Sequence, residues 1–371
     1  MSEYQYYAFQ AVDRPLTTTE QEMLRGLSSR ARITATSLTN HYEWGNFKGD
    51  PKRLMENCFD LHLYFANWGT RRFMMRVPKH LMDSHGLDAF LNEVDWVRIW
   101  NKNAHTVIDI CRDEVEPDHD AWDDGAGWLA ALSPLRTDIS SGDLRLFYLL
   151  WLSAVAENRL TDGTPEPFPG IGPLSGALEA AVDFFAIDRD LVEAAIVSAH
   201  EEEGTPEASR AFVAGLADKE KSELLIRLME GDAHIGSELR RRARMRSIDG
   251  RRPCRTVGEL RAKAREIRKM RERAEAERRW AEQRRQAEEV ERARRVRLDA
   301  VKRRGESVWT EIETEIERRN GSGYDRAVAL LADLKQLAAE QGTVTNFSRR
   351  LTVIRARHAR KGQFVKRLLG L

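Results

Sequence analysis

The chain has 371 residues, of which 42% are hydrophobic and 32% charged, so it has room for two or three domains with buried cores. Its net charge of +1 hides an asymmetry: residues 251–371 contain 33 Lys and Arg against 18 Asp and Glu, and residues 1–250 contain 27 against 41. This asymmetry predicts that the basic part contacts either an anionic partner or the acidic part of its own chain.

The three cysteines, Cys58, Cys111 and Cys254, lie far apart and have no C-x-x-C spacing. This argues against a structural zinc site and against a disulfide framework. The N-terminus lacks the pattern of a signal peptide, and no apolar run approaches the roughly 18 residues of a membrane span. We therefore expect a cytoplasmic protein that does not enter a membrane.

Residues 1–116 are predicted to form an α+β domain, a small antiparallel or mixed sheet with two or three helices on one face. Thr17 and Glu20 have capping-box spacing, which predicts the start of a first helix, and Asp50 followed by Pro51 predicts the start of a second. The predicted strands are residues 4–12, 33–39, 61–66, 71–77, 94–100 and 105–110, the last four arranged as two hairpins. As an alternative, residues 61–66 extend the second helix.

Residues 117–250 are predicted to be all-helical, because the apolar residues beyond Pro117 recur at helical spacing. A loop or linker is expected at the Pro- and Gly-rich residues 161–172. The predicted helices lie near residues 128–135, 144–152, 174–185, 188–199, 207–216, 219–229 and 233–246. We expect this region either to stack on the sheet or to form a domain of its own.

Residues 251–305 are predicted to be dominated by one long charged helix over residues 256–304, which contain no proline and a single glycine. The best heptad seam places Arg271 and Arg278 at core positions, where a strong coiled coil needs Leu, Ile or Val. Oppositely charged i,i+4 pairs, such as Glu275 with Arg279, support a solvated helix of about 70 Å at ~1.5 Å per residue. Glu288–Arg292 and Glu291–Arg295 are predicted as further pairs of this kind. The prediction is a single helix or weak coiled coil, with an anion-binding arm as the alternative.

Residues 306–371 are predicted to form a C-terminal helical hairpin. Its two helices are expected at residues 324–340 and 346–360, after a break at residues 320–323. A single hairpin of this kind cannot bury its apolar face alone. It therefore needs a neighbouring helix, another chain or the body of the protein.

No motif predicts a catalytic, cofactor-binding or metal-binding residue. The chain lacks H-E-x-x-H, G-x-S-x-G, a phosphate loop and G-x-G-x-x-G, so an enzyme is the least favoured function and no cofactor is expected. The densest acidic cluster, residues 113–124, offers oxygen ligands for Mg²⁺ or Ca²⁺ but lacks calcium-loop spacing. A charged interdomain loop is the preferred interpretation.

Aromatic and basic side chains provide the candidate contacts with a partner, because they stack on bases and neutralise phosphates. Against nucleic acid, the RNA-recognition consensus is absent, and strand alternation places Phe73 and Met75 in a core. The positive charge is concentrated near residues 240–255, 292–304 and 349–367. The candidate contacts are Trp68, Arg71, Arg72, Arg241, Arg242, Arg294, Arg295, Arg303, Arg304, Arg357, Arg360 and Lys361.

Three N-terminal stretches, EYQYYAFQAVDRPLT (residues 3–17), NHYEWGNFKGDPKRLME (40–56) and ANWGTRRFMMRVP (66–78), resemble a family of uncharacterised bacterial proteins. The stretches YDRAVALLADLKQLAAEQG (324–342) and FSRRLTVIRARHARKGQFVKRL (347–368) resemble the helical tail of that family and of some bacterial SWIM zinc-finger proteins. The SWIM metal pattern C-x-C…C-x-H is absent, so the resemblance implies no zinc role. A shared tail implies that these proteins act together or dock on one partner.

Together, these features predict a non-enzymatic interaction or scaffold protein whose long helix and C-terminal hairpin dock a partner. The partner is expected to be another protein, with a SWIM zinc-finger protein as one candidate, or a second copy of the chain. The alternative is a nucleic-acid-associated protein, in a defence or repair assembly, that binds phosphate through its basic C-terminal half.

Overall fold

The computed structural model describes residues 3–82, 87–115, 124–167, 170–196, 206–232, 234–247 and 254–369. For residues 206–208 and 244–247 the backbone alone is described. The chain divides into two compact units, a first unit of Met1–Met270 and a second unit of Arg271–Leu371.

The first unit is built on a seven-stranded antiparallel sheet with the strand order β2-β3-β1-β4-β5-β7-β6. Its strands are β1 Gln5–Gln10, β2 Arg32–Ile33, β3 Ser37–Tyr42, β4 Leu61–Ala66, β5 Arg71–Pro78, β6 Val97–Lys102 and β7 His105–Arg112. The predicted α+β fold is confirmed, and residues 61–66 form a strand rather than an extension of the second helix. Antiparallel β4–β5 and β6–β7 hairpins appear as predicted, the second turning at Asn103 with a positive φ of 54°.

Two short helices, α1 (Thr18–Leu27) and α2 (Pro51–Asn57), pack on one face of the sheet, here called the α1–α2 face. The predicted capping box is present at α1: the Thr17 hydroxyl accepts from the Glu20 amide at 3.2 Å, and the Glu20 carboxylate accepts from the Thr17 amide at 2.7 Å. Asp50 caps α2 by accepting from the amide of Lys52 at 2.9 Å. The helices cover fully buried side chains that include Phe9 and Phe59.

The predicted all-helical region stacks on the opposite face of the sheet and shares one core with it. This helical layer contains α4 Trp128–Leu132, α5 Pro134–Ser140, α6 Arg145–Ala156, α7 Gly176–Phe184 and α8 Arg189–Ala195. It is joined by α3 Asp88–Leu91 from the α+β domain, which follows a 3₁₀ turn at Lys79–Leu81. Strand alternation supplies apolar side chains to both faces, since Phe73 belongs to the shared core and Met74 to the α1–α2 face. Both faces are therefore covered: α1 and α2 lie on one, and the helical region stacks on the other, which is one of the two arrangements that the sequence left open.

Three further helices, α9 Pro206–Ala214, α10 Asp218–Met229 and α11 Ile235–Ser247, precede the long helix α12 (Val257–Arg304). A buried carboxylate, Glu166, holds the chain just before α12: it accepts from the Tyr148 hydroxyl at 2.6 Å and from the Arg255 guanidinium at 3.0 Å. The first turns of α12 then place Val257 and Leu260 in the shared core. The long helix thus begins as part of the first unit.

The second unit contains the end of α12 followed by α13 Ser307–Glu317, α14 Gly321–Glu340, α15 Val344–Arg357 and α16 Gly362–Leu368. The predicted hairpin corresponds to α14 and α15. Side chains from five helices form one core, among them Leu298, Ile312, Leu331, Phe347 and Phe364. The apolar face that the hairpin cannot bury alone is therefore covered within the unit.

None of the helices within the described ranges has the length and apolar character that a membrane crossing requires.

Candidate docking groove in the second unit

An open groove of about 300 Å³ lies between α13 and α15 in the second unit. Side chains of Trp309 and Glu313 on α13 face side chains from α15 across it. The α15 side chains that line the groove are Arg349, Arg350, Val353 and Ile354.

The interior of the groove is apolar. Trp309 is half-buried, with its ring centroid 6.0 Å from that of the buried Phe347. Ile354 is buried and packs into the core of the unit, whereas Val353, beside it on α15, is 55% exposed. The groove thus offers an aromatic ring and a branched aliphatic side chain to an incoming apolar group.

Cationic side chains form the rim of the groove. The Arg350 guanidinium lies 5.1 Å from the centroid of the Trp309 ring, within cation–π range, and pairs with Glu306 at 2.8 Å. This hydrogen bond from Arg350 lowers the pKa of the Glu306 carboxyl. Arg349 makes only a long hydrogen bond of 3.4 Å to Asn346 and has no ion pair within the described part of the chain.

The one carboxylate in the lining, Glu313, is matched by two basic groups. Its oxygens lie 3.1 Å from the Arg357 guanidinium and 2.6 Å from Nε2 of the buried His358. Glu313 therefore adds no uncompensated negative charge to the groove.

The chain around α15 and α16 is strongly basic. Residues 342–369 contain eight Lys or Arg and no Asp or Glu, so every acidic partner comes from elsewhere in the unit. Glu306, Glu313 and Asp325 supply three such partners. Among the described residues, the basic side chains of this stretch without an ion pair are Arg349, Arg355, Arg360, Lys361 and Lys366, and of these Lys361 donates to the Ile316 carbonyl at 3.0 Å.

The candidate residues on the sheet do not form one surface. Trp68 is 48% exposed in the β4–β5 turn, where its Nε1 donates to the Thr70 hydroxyl at 3.1 Å. Arg71 is buried, donates to the Ala66 carbonyl at 2.7 Å and lies 3.8 Å from the Phe65 ring centroid. Arg72 projects from the other face of the strand and holds Asp109 through two hydrogen bonds of 2.7 Å.

The two candidate arginines of α11 have different surroundings. Arg242 pairs with Glu220 at 2.5 Å and with Glu238 at 2.8 Å. Arg241 lies against Gly142, and its buried Nε has no hydrogen-bond partner among the residues that the structure describes.

Most candidate cations from α12 onward also contact groups of the chain itself. Arg294 donates to Glu291 and Gln336, both at 3.1 Å, and Arg295 pairs with Glu340 at 3.1 Å. The remaining contacts are Arg303 with the Asp299 carbonyl, Arg304 with Glu311, Arg357 with Glu313, and Lys361 with the Ile316 carbonyl. Arg360 is exposed.

The groove itself was not predicted as a site, although two signals for it were present. Trp309 begins the apolar face that resumes after Gly305, and Arg349 begins the basic stretch of residues 349–367. Their closeness depends on the turn between α14 and α15, which brings together residues about 40 positions apart.

A second, polar cleft of about 620 Å³ lies in the first unit beside β7. Its lining includes Trp96, Arg112 and Arg159, together with carboxylates that these arginines already hold. Arg112 pairs with Glu157 at 3.1 Å, and Arg159 pairs with Asp95 at 2.8 Å. Because both cations are occupied, this cleft is a weaker candidate than the groove.

Within the described ranges, no three His, Cys, Asp or Glu side chains come together as possible metal ligands. The acidic cluster proposed from the sequence falls largely on residues 116–123, which lie outside the described residues.

Comparison of the chain with models of known protein families, with curated proteins and with solved structures gave no match. The proposed function therefore rests on the geometry of the groove and on the distribution of charge.

Proposed function

We propose that the protein is a non-enzymatic adaptor whose second unit docks a partner protein in the groove between α13 and α15. The observation that carries this proposal is the groove itself, an apolar surface open to solvent on a unit that already has its own core. Open apolar surfaces rimmed by polar groups are typical of protein-interaction sites. The surrounding positive charge would steer an anionic partner towards it.

The exposed middle of α12 acts as a connection rather than as the docking surface. Residues 268–297 are all exposed, and the large apolar side chains among them do not share a face. Met270, Trp280 and Val290 are ten residues apart, and each step of ten turns the side chain by about 80° around the helix. A coiled-coil partner requires a continuous apolar seam, which this segment does not offer.

We propose a partner of protein nature, with a SWIM zinc-finger protein or a second copy of the chain as the first candidates to test. We propose the cytoplasm as its compartment, because Cys58, Cys111 and Cys254 are free thiols.

The test is site-specific photo-cross-linking in the native host, with the full chain carrying a benzophenone amino acid at Val353. We expect a protein adduct at this position and its loss when Trp309 is also replaced by Ala. A matched control places the same group at Arg355, which is exposed but lies about 200° around α15 from Val353. Adducts of equal yield at both positions, or at neither, would contradict the proposal.

Nucleic-acid binding is the second candidate, and the acid-free stretch of residues 342–369 favours it. Phosphate binding must weaken steeply with salt, with a slope set by the number of contacts. If the full chain retains neither DNA nor RNA at low salt, this candidate is excluded. Retention that falls with salt and is lost in an Arg355→Glu, Arg360→Glu double variant would support it.

A further inference from the structure

The charged side chains around the groove indicate which kind of partner segment would fit it. We propose that the groove binds an acidic amphipathic segment of the partner protein, with one bulky apolar side chain seated between Trp309 and Val353. This inference rests on the proposed function and adds the class of ligand.

The size of the groove favours a single large apolar side chain as the anchor. A protein cavity of about 150 Å³ holds benzene, so a groove of about 300 Å³ has room for a Leu, Phe or Trp side chain. The Trp309 ring and the 55% exposed Val353 provide the apolar contact. Their burial by the anchor would supply the favourable free energy of docking.

Cations flank this apolar position on α15. Arg349 lies one turn before Val353 and Arg357 one turn after it, and side chains four residues apart share a helix face. A segment with carboxylates on both sides of its apolar anchor would match this spacing. A basic segment would place like charges against both arginines, which costs free energy when the surfaces lose water.

The existing ion pairs make Arg349 the principal electrostatic contact. A partner carboxylate at Arg350 or Arg357 must compete with Glu306 at 2.8 Å or Glu313 at 3.1 Å. Arg349 has no such competitor within the described residues, so a new charge-assisted hydrogen bond forms there without breaking an ion pair.

The occupant favoured by charge is thus an acidic segment of another protein. A second copy of the chain and a nucleic acid are the competing occupants. Nucleic acid lacks the isolated apolar anchor that the groove accommodates, although it shares the negative charge.

Fluorescence anisotropy with the full chain tests this inference. The probe is a short labelled peptide with Leu at every third or fourth position and Glu elsewhere. In one matched control peptide Lys replaces every Glu (the Lys version), and in the other Ser replaces every Leu (the Ser version). We expect binding of the Glu–Leu probe, no binding of the Lys version, and roughly tenfold weaker binding of the Ser version, because the Ser version keeps the charge and loses the anchor.

Protein variants distinguish binding in the groove from a general electrostatic attraction between the basic surface and an acidic peptide. Arg349→Glu, which replaces attraction by repulsion, is expected to weaken binding of the probe by roughly tenfold, Arg349→Gln by about two- to fivefold, and Arg355→Glu by about twofold or less. Arg349 and Arg355 are both exposed, so circular dichroism is expected to show that each variant keeps its helices. Equal losses for Arg349→Glu and Arg355→Glu would overturn the inference.

The remaining outcomes distinguish the competing occupants. Single-stranded DNA that binds as tightly as the Glu–Leu probe would show a surface that recognises charge alone and would overturn the inference. Self-association of the protein that Val353→Glu abolishes would assign the groove to a second copy. If cross-linking at Val353 captures a basic or neutral segment, the acidic ligand is wrong while the docking function stands.

Discussion

His62 shows how one residue of β4 is tied to the core of the first unit. Its ring stacks on that of Phe9 at a centroid distance of 4.0 Å, and its Nδ1 lies 3.1 Å from the Ala8 carbonyl. Nε2 has no partner among the described residues, and the side chain is fully buried. This burial, with a smaller contribution from the Arg72 charge, lowers the pKa of His62 to about 3, so the folded state requires a neutral ring.

The first prediction is that acidification below neutrality destabilises the first unit through His62. The pKa of the folded histidine lies below its unfolded value of about 6.5, so its contribution is complete above that pH and falls as the pH drops towards 3. Between pH 7 and 5 the loss amounts to about 2 kcal/mol, before the carboxylates of Glu20 and Asp60 titrate.

Urea-dependent hydrogen exchange of β4 amides at the two pH values measures this loss. The His62→Gln variant removes the titrating ring and is expected to flatten the pH dependence. His105, whose pKa burial also lowers, is unchanged in the variant and accounts for the residual slope. An identical slope in both proteins would contradict the role of His62.

At the scale of single elements, α12 combines two environments in one helix. Between its buried ends, ion pairs within one turn, such as Arg284 with Glu288 at 2.9 Å, replace burial as the source of support. Of the pairs expected from the sequence, Glu275–Arg279 is present at 3.6 Å, whereas Glu288 pairs with Arg284 and Arg295 pairs with Glu340. Each of these long charged side chains has more than one oppositely charged residue within reach, and only the structure shows which ion pair forms.

The second prediction compares two valines of α12. Val290 is 69% exposed and Val301 is 4% exposed, so the same substitution to Ala tests the same chemistry in two environments. Val301→Ala is expected to destabilise the second unit by on the order of 2 kcal/mol, and Val290→Ala by less than about 0.5 kcal/mol. Urea unfolding of the full chain followed by circular dichroism measures both. A large effect at Val290 would indicate that the exposed segment packs on another chain.

At the scale of the whole molecule, the chain has two units with separate cores. The core of the second unit draws on residues from Leu298 to Leu368, all within Arg271–Leu371. Because the hydrophobic contacts that stabilise this unit come from its own sequence, it has the means to fold alone.

The third prediction is that a fragment of residues 271–371 folds cooperatively. Its thermal unfolding, followed by circular dichroism, is expected to be a single sigmoidal transition. Leu331→Ala, at a fully buried position, is expected to lower the stability of the fragment by about 2–5 kcal/mol. A broad, non-cooperative transition in the unmodified fragment would contradict an independent core.

The same substitution in the full chain provides a control. With two cores, Leu331→Ala is expected to shift one unfolding transition and leave the other unchanged, since a single two-state description applies to each unit and not to the pair.

Features that depend on a few neighbouring residues were determined by the sequence. The capping box at Thr17, the Asp50–Pro51 helix start and the β4–β5 hairpin are present where predicted, because their hydrogen bonds join residues close in the chain. The helical layer over the sheet had a weaker signal: residues 146–155 of α6 are all buried, and their near-continuous apolar composition is typical of a helix enclosed on every side.

Only the tertiary structure decided which charged residues remain available and where the groove lies. Arg71 and Arg72 are adjacent in sequence, yet one is buried beside Phe65 and the other holds Asp109 of β7. Likewise, α13 and α15 form the groove because α14 returns the chain. Ion pairs and concave surfaces join residues distant in sequence, and local patterns carry no information about that proximity.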